Sequence, residues 1–187
     1  MMLKPSLIVT AALLLITSPG RAQQKKEVVT VDVPPTSYKE VGRAQVSYFR
    51  ESNTTEVRVE LSPYRLNDQS ANMFFVFTLE GKKVTEPKNV KVGMAFFASK
   101  ARLQTLDMFS FELDQEEIKI DDVTVGGIGY DYNAKDFFRD IEGTVSFASF
   151  QKLTAAKLLK VRVKDVVFAF NVSDGSALRD MLRTIER

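Results

Sequence analysis

From Ala44 onward, apolar and polar residues alternate with period two. Ala44, Val46 and Tyr48 are set against Gln45, Ser47 and Phe49, and beyond Glu51-Ser52-Asn53-Thr54 the pattern resumes with Val57, Val59 and Leu61 against Glu56, Arg58 and Glu60. Two alternating runs joined by a polar turn predict a hairpin of half-buried strands. Pro63 and Asn67-Asp68-Gln69-Ser70 mark the loop that follows. Met73 to Leu79 is apolar on both faces and carries Phe74, Phe75 and Phe77, which predicts a strand covered on both sides. Glu80-Gly81-Lys82-Lys83 turns the chain, and Val90 to Ala98 is a further strand with Val92, Met94 and Phe96 on one side. Met108 to Leu113 and Ile118 to Val125 flank Asp114-Gln115-Glu116-Glu117, a second hairpin pattern in which Asp121-Asp122 reads as a bulge. Gly126-Gly127-Ile128-Gly129 then interrupts the alternation.

The pattern changes toward the C-terminus. Glu142 to Val145 predicts a short strand, and Ser146 is placed to cap a helix carrying Phe147, Phe150 and Leu153 at a spacing of three. Leu159, Val161 and Val163 alternate with Lys160, Arg162 and Lys164, and Asp165 turns the chain into a partner strand over Val166 to Phe170. Ser173 or Asp174 caps a last helix, in which Leu178, Met181, Leu182 and Ile185 form one apolar stripe with Arg179, Asp180 and Arg183 opposite. Short strands at regular spacing predict a mainly β, β-rich α+β domain. The expected architecture is an antiparallel sandwich or open barrel, with two C-terminal helices covering an edge or end.

The start of the chain has a different logic. Met1 to Lys4 is a short basic start, Leu7 to Ile16 is almost unbroken apolar sequence, and Gly20 and Ala22 are small residues at the spacing of a cleavage site after Ala22. That layout is a secretory signal peptide over residues 1–22, with an apolar run too short to span a bilayer. Residues 23–40 read as a polar lead-in, with Glu27 to Val33 as an edge strand ended by Pro34-Pro35. Residues 41–187 read as a single β-rich domain. The expected location is therefore exported, periplasmic or secreted, with no membrane span once the signal is removed.

Composition narrows the chemistry. Residues 1–22 hold Lys4 and Arg21 and no acid, so removing them leaves 24 of the 26 basic residues against 24 acidic ones. A chain of no net charge lacks the basic field of a nucleic-acid binder. There are no cysteines, so no disulfide and no lipid-accepting thiol, a pattern that suits a bacterial exported protein. There are also no histidines, which removes Ser-His-Asp and Cys-His nucleophiles, His-ligated zinc and histidine bases.

Each candidate site also has a plain structural reading. The Gly126-to-Gly129 run is followed by Tyr130-Asp131-Tyr132-Asn133 and has no Gly-Lys-Ser/Thr, so it reads as a turn or bulge and not a phosphate loop. Asp131, Asn133 and Asp136 suggest calcium, but Lys135 stands where an oxygen ligand is required. No metal, cofactor or catalytic residue is assigned. Fourteen phenylalanines lie mostly in strand segments and read as core; if the sheet instead encloses a cavity, Phe74, Phe77, Phe96 and Phe109 are the candidates to line it. Lys160, Arg162 and Lys164 project from one strand face and are the candidate patch for an anionic partner, or else its solvated side.

The segment from Phe147 to Ile185 resembles the C-terminal part of small exported bacterial domains of unknown function, in which a helix like Phe150 to Lys157 leads into a hairpin, here Leu159 to Phe170, and a terminal helix, here Ser176 to Ile185. The resemblance implies an exported bacterial setting and no activity. The expectation is a non-catalytic binding or interaction module of the cell envelope, its partner an envelope protein. The alternatives are a carrier of an apolar ligand inside the sheet, or a hydrolase working through two carboxylates.

Overall fold

Alternation in the sequence becomes strand along most of the chain. A computed structural model describes residues 35–61, 64–66, 69–104, 106, 109–113, 116–133, 135–156, 159–169 and 172–185. The signal peptide read over residues 1–22 and the edge strand read over 27–33 lie outside the described residues. The first strand, β1 (Ser37–Val41), begins within the segment read as lead-in and lies at one edge of its sheet. It turns through Gly42, at φ +59°, into β2 (Ala44–Phe49), which turns through Asn53 into β3 (Thr54–Glu60). In β3 the predicted alternation holds, with Thr55, Val57 and Val59 buried and Glu56, Arg58 and Glu60 on the other face.

The short strand β4 (Tyr64–Leu66) continues along the line of β3 beside β5 (Gln69–Glu80), and the amide of Leu61 bonds to the Met73 carbonyl at 2.9 Å between them. Next comes β6 (Asn89–Phe97), in which Val90, Val92, Met94 and Phe96 are buried as expected. A short helix, α1 (Lys100–Gln104), which the sequence pattern does not announce, carries the chain to β7 (Phe109–Leu113) and β8 (Glu116–Lys119). The arm read as one strand over Ile118 to Val125 is broken at Ile120. There the chain leaves one sheet and enters the other as β9 (Asp121–Asp131), which returns as β10 (Asp136–Ser146). Apolar alternation runs straight through this corner, so periodicity alone does not reveal it.

Ser146 caps α2 (Phe147–Ala155) as predicted, its side chain accepting from the Ser149 amide at 3.1 Å. The strands β11 (Leu159–Val163) and β12 (Val166–Ala169) form the expected hairpin, and α3 (Val172–Arg183) ends the domain. Ala177, Leu178 and Met181 of α3 are fully buried, which bears out the apolar stripe.

The strands form an antiparallel sheet of eight, in the order β1-β2-β3-β5-β6-β10-β9 with β4 beside β5, and a sheet of four in the order β12-β11-β7-β8. Mainly β, sandwich-like and not a closed barrel, the architecture agrees with the predicted class. Aromatic contacts hold the layers together. Phe75 of the large sheet stacks on Phe111 of the small sheet at 5.8 Å and meets Phe150 of α2 at 5.7 Å, while Phe96 meets Phe168 edge-on at 5.7 Å. Helix α3 lies against β1, β2 and β3.

Candidate functional site

Packing one face of the large sheet against the small sheet and helices leaves its other face open among the described residues, and strand register decides which side chains meet there. One row runs Glu60, Phe74, Gly93, Glu142 and Thr124 across β3, β5, β6, β10 and β9. The adjacent rows carry Arg58, Val76 and Lys91 on one side, and Asn72, Ala95 and Asp140 on the other. Together Arg58, Glu60, Asn72, Phe74, Asp140 and Glu142 line a groove of about 480 Å³.

Its floor depends on a missing side chain. The Phe74 ring lies over Gly93, where a Cβ would stand 2.0 Å from Cζ of the ring. The Arg58 guanidinium covers the ring at 4.3 Å from its centroid, and its Nε and Nη2 both donate to Glu60 Oε1, at 3.0 and 2.9 Å. Lys91 pairs with Glu142 at 2.7 Å. Asp140 is treated differently. Among the described residues no cation or hydrogen-bond donor meets its carboxylate. Partial burial, and secondly the Glu142 charge two residues along the strand, push its pKa above the usual carboxylate range. A cationic group entering the groove would favour the ionised carboxylate and so oppose both effects.

The glycine run lies beside this site. One residue of β10, Asp140, faces two of β9, Gly126 and Gly127, between the pairs Ile141–Val125 and Arg139–Ile128, so Gly126-Gly127 sits in a bulge. Arg139 fastens it, donating from Nε to the Gly126 carbonyl at 2.8 Å and from Nη1 to the Leu103 carbonyl at 2.7 Å. A second bulge contains Asp122, at φ +52°. Two bulges distort β9, which lies at the edge of the sheet opposite β1, and spoil it as a template for pairing with another chain.

The aromatic residues considered as a cavity lining do not share one face. Phe77, Phe96 and Phe109 belong to the buried core, whereas Phe74 points to the open face and floors the groove. The lysines and arginine considered as an anionic-partner patch are interleaved with acids. Arg162 pairs with Glu112, Lys160 stands opposite Glu112 in register, and Lys164 occupies the β11–β12 turn at φ +54°. Nearby Lys152 pairs with Glu116 at 2.6 Å.

Sequence reasoning missed Arg58, Asp140 and Glu142 as a group, because they meet only through pairing of β3, β5, β6 and β10. The available signal was Ile141 flanked by acids at 140 and 142, the pattern of one longer strand with both carboxylates on its outer side. It also missed an aromatic cluster at the β9–β10 turn, where Tyr130 meets Tyr132 at 5.2 Å and Phe137 at 5.1 Å, and Tyr132 is 85% exposed. No family model, curated protein or solved structure matches the chain.

Proposed function

We propose that this chain is an exported, non-catalytic binding module of the bacterial cell envelope, and that the groove on the open face of its large sheet takes a cationic group, a lysine or arginine side chain, of a partner protein. The N-terminal pattern of residues 1–22 supports the location. The observation that carries the binding reading is Asp140, a carboxylate with no cation or donor among the described residues, raised in pKa and set beside Glu142 over an apolar floor. Electrostatic complementarity of this kind steers a partner and fixes its register more than it adds affinity, which suits a recognition surface.

The reading is tested by titrating the purified protein with a short lysine- and arginine-rich peptide and with an aspartate- and glutamate-rich one. The basic peptide binds, its affinity falls with added salt, and Asp140→Asn with Glu142→Gln weakens it at least tenfold. Equal binding of the acidic peptide, or an unaffected double variant, overturns the reading.

A further inference from the structure

The opposite face of the same sheet carries a second groove, of the opposite electrostatic character. Register places Lys39 of β1 across from Val46 of β2, and Val46 and Tyr48 across from Val57 and Thr55 of β3, so Lys39, Val46, Tyr48 and Thr55 share the face that α3 covers. Between this edge of the sheet and the end of α3 is a groove of about 450 Å³. Val46, Val84, Ile185 and the Tyr48 ring supply its apolar surface. Both buried hydroxyls in it are already committed, Thr55 to the Gly81 carbonyl at 2.6 Å and Thr184 to the Met181 carbonyl at 2.7 Å, so neither asks a hydrogen bond of a ligand.

The charged side chains that line this groove are all cationic. Lys39, Lys82 and Arg183 line it, and none of the described residues lining it is acidic. Arg183 shares the Asp180 carboxylate at 2.7 Å, and that carboxylate also accepts from the Arg43 amide. Lys39 and Lys82 have no acidic partner among the described residues. Lys82 holds its Nζ over the Tyr48 ring, 5.1 Å from the centroid. On β1, Glu40 points the other way and accepts from the Tyr38 hydroxyl.

We infer that this groove is a second binding site, for a single-chain amphiphile with an anionic head. The tail lies along Val46, Val84 and Ile185, and the head is held by Lys39, Lys82 and Arg183. The lining is mixed, with the aliphatic side chains Val41, Val46, Val84 and Ile185 beside three cations, which is the make-up an amphiphile needs, and the groove lies within the usual size range of a small-ligand site. The cationic rim selects the sign of the head group, and burial of the tail supplies the affinity. The inference is independent of the outer-face groove, which offers the acids Glu60, Asp140 and Glu142 with Arg58 where this one offers three cations.

The test is a calorimetric titration of the purified protein with dodecanoate, with acetate as head-group control and dodecyltrimethylammonium as the same tail with reversed charge, all below micelle-forming concentrations. One dodecanoate binds per chain, acetate does not bind, and the cationic amphiphile binds at least tenfold more weakly. Lys39→Glu with Lys82→Glu, both exposed positions, lowers dodecanoate affinity at least tenfold with an unchanged unfolding midpoint, while Asp140→Asn with Glu142→Gln leaves it intact. Absence of saturable dodecanoate binding, equal binding of the cationic amphiphile, or an unaffected lysine variant overturns the inference and leaves the outer-face reading standing.

Discussion

The carboxylate of Asp180 is pressed against the α-carbon of Gly42, where a Cβ would stand 2.2 Å from Oδ2. Asp180 is 8% exposed, and the same oxygen accepts the amide of Arg43 at 3.0 Å across 137 residues of sequence. The last helix is thereby tied to the first turn of the large sheet. Gly42→Ala forces a left-handed conformation on a residue with a Cβ and drives that Cβ into the carboxylate, so it costs about 2 kcal/mol or more in urea unfolding. Asp180→Ala leaves the Arg43 amide without its acceptor and costs about 1.5–3 kcal/mol. The double variant costs less than the sum, because removing the carboxylate relieves the clash. Strict additivity would show that the two residues do not meet.

Phe74 and Phe75 are neighbours in sequence with opposite fates. Phe75 contacts both Phe111 and Phe150 and is fully buried, so Phe75→Ala costs about 3–5 kcal/mol. Phe74 is half-buried between Gly93 and Arg58, and Phe74→Ala costs only about 1–2 kcal/mol. Denaturant midpoints of the two variants check the assignment of faces, and equal losses would contradict it.

The pattern of apolar positions specifies the strands well where one face is polar. The alternation in β3, β6 and β11 reads directly, as do the Ser146 cap and the buried stripe of α3. Face assignment fails where both faces are apolar, as in β5, because period two cannot say whether Phe74 or Phe75 points inward; the pairing of Phe74 with Gly93 decides it. Asp180 reads as a solvent-facing helix residue because its partner is at the other end of the chain. The outer-face groove is assembled by register among four strands, and register is a long-range property that a local pattern does not carry.

Stability at the groove depends on pH with a definite sign. The Asp140 pKa is raised in the folded protein above the ordinary carboxylate value, so the folded state holds that proton more tightly than the unfolded chain does. This contribution to stability is present below the ordinary carboxylate value and is lost as pH rises through the folded value. Asp140→Asn removes the dependence. Urea midpoints of the variant and the parent diverge in favour of the variant between about pH 3.5 and pH 7, and divergence the other way would contradict the origin of the shift.

The Ser146 cap makes a smaller contribution. Its hydroxyl accepts the Ser149 amide at 3.1 Å, and Ser146→Ala leaves that donor to solvent. The expected loss is about 1 kcal/mol, with Ser146→Asp restoring it. Urea unfolding of both variants measures it.

The central claim is that the open face of the large sheet is a recognition surface for a cationic group. Amide chemical-shift mapping of the purified protein during titration with a lysine- and arginine-rich peptide tests it most directly. Saturable shifts are expected to concentrate at Asn72, Phe74, Asp140 and Glu142 and to be lost in Asp140→Asn with Glu142→Gln. Shifts confined to other surfaces, or none at all, would contradict it.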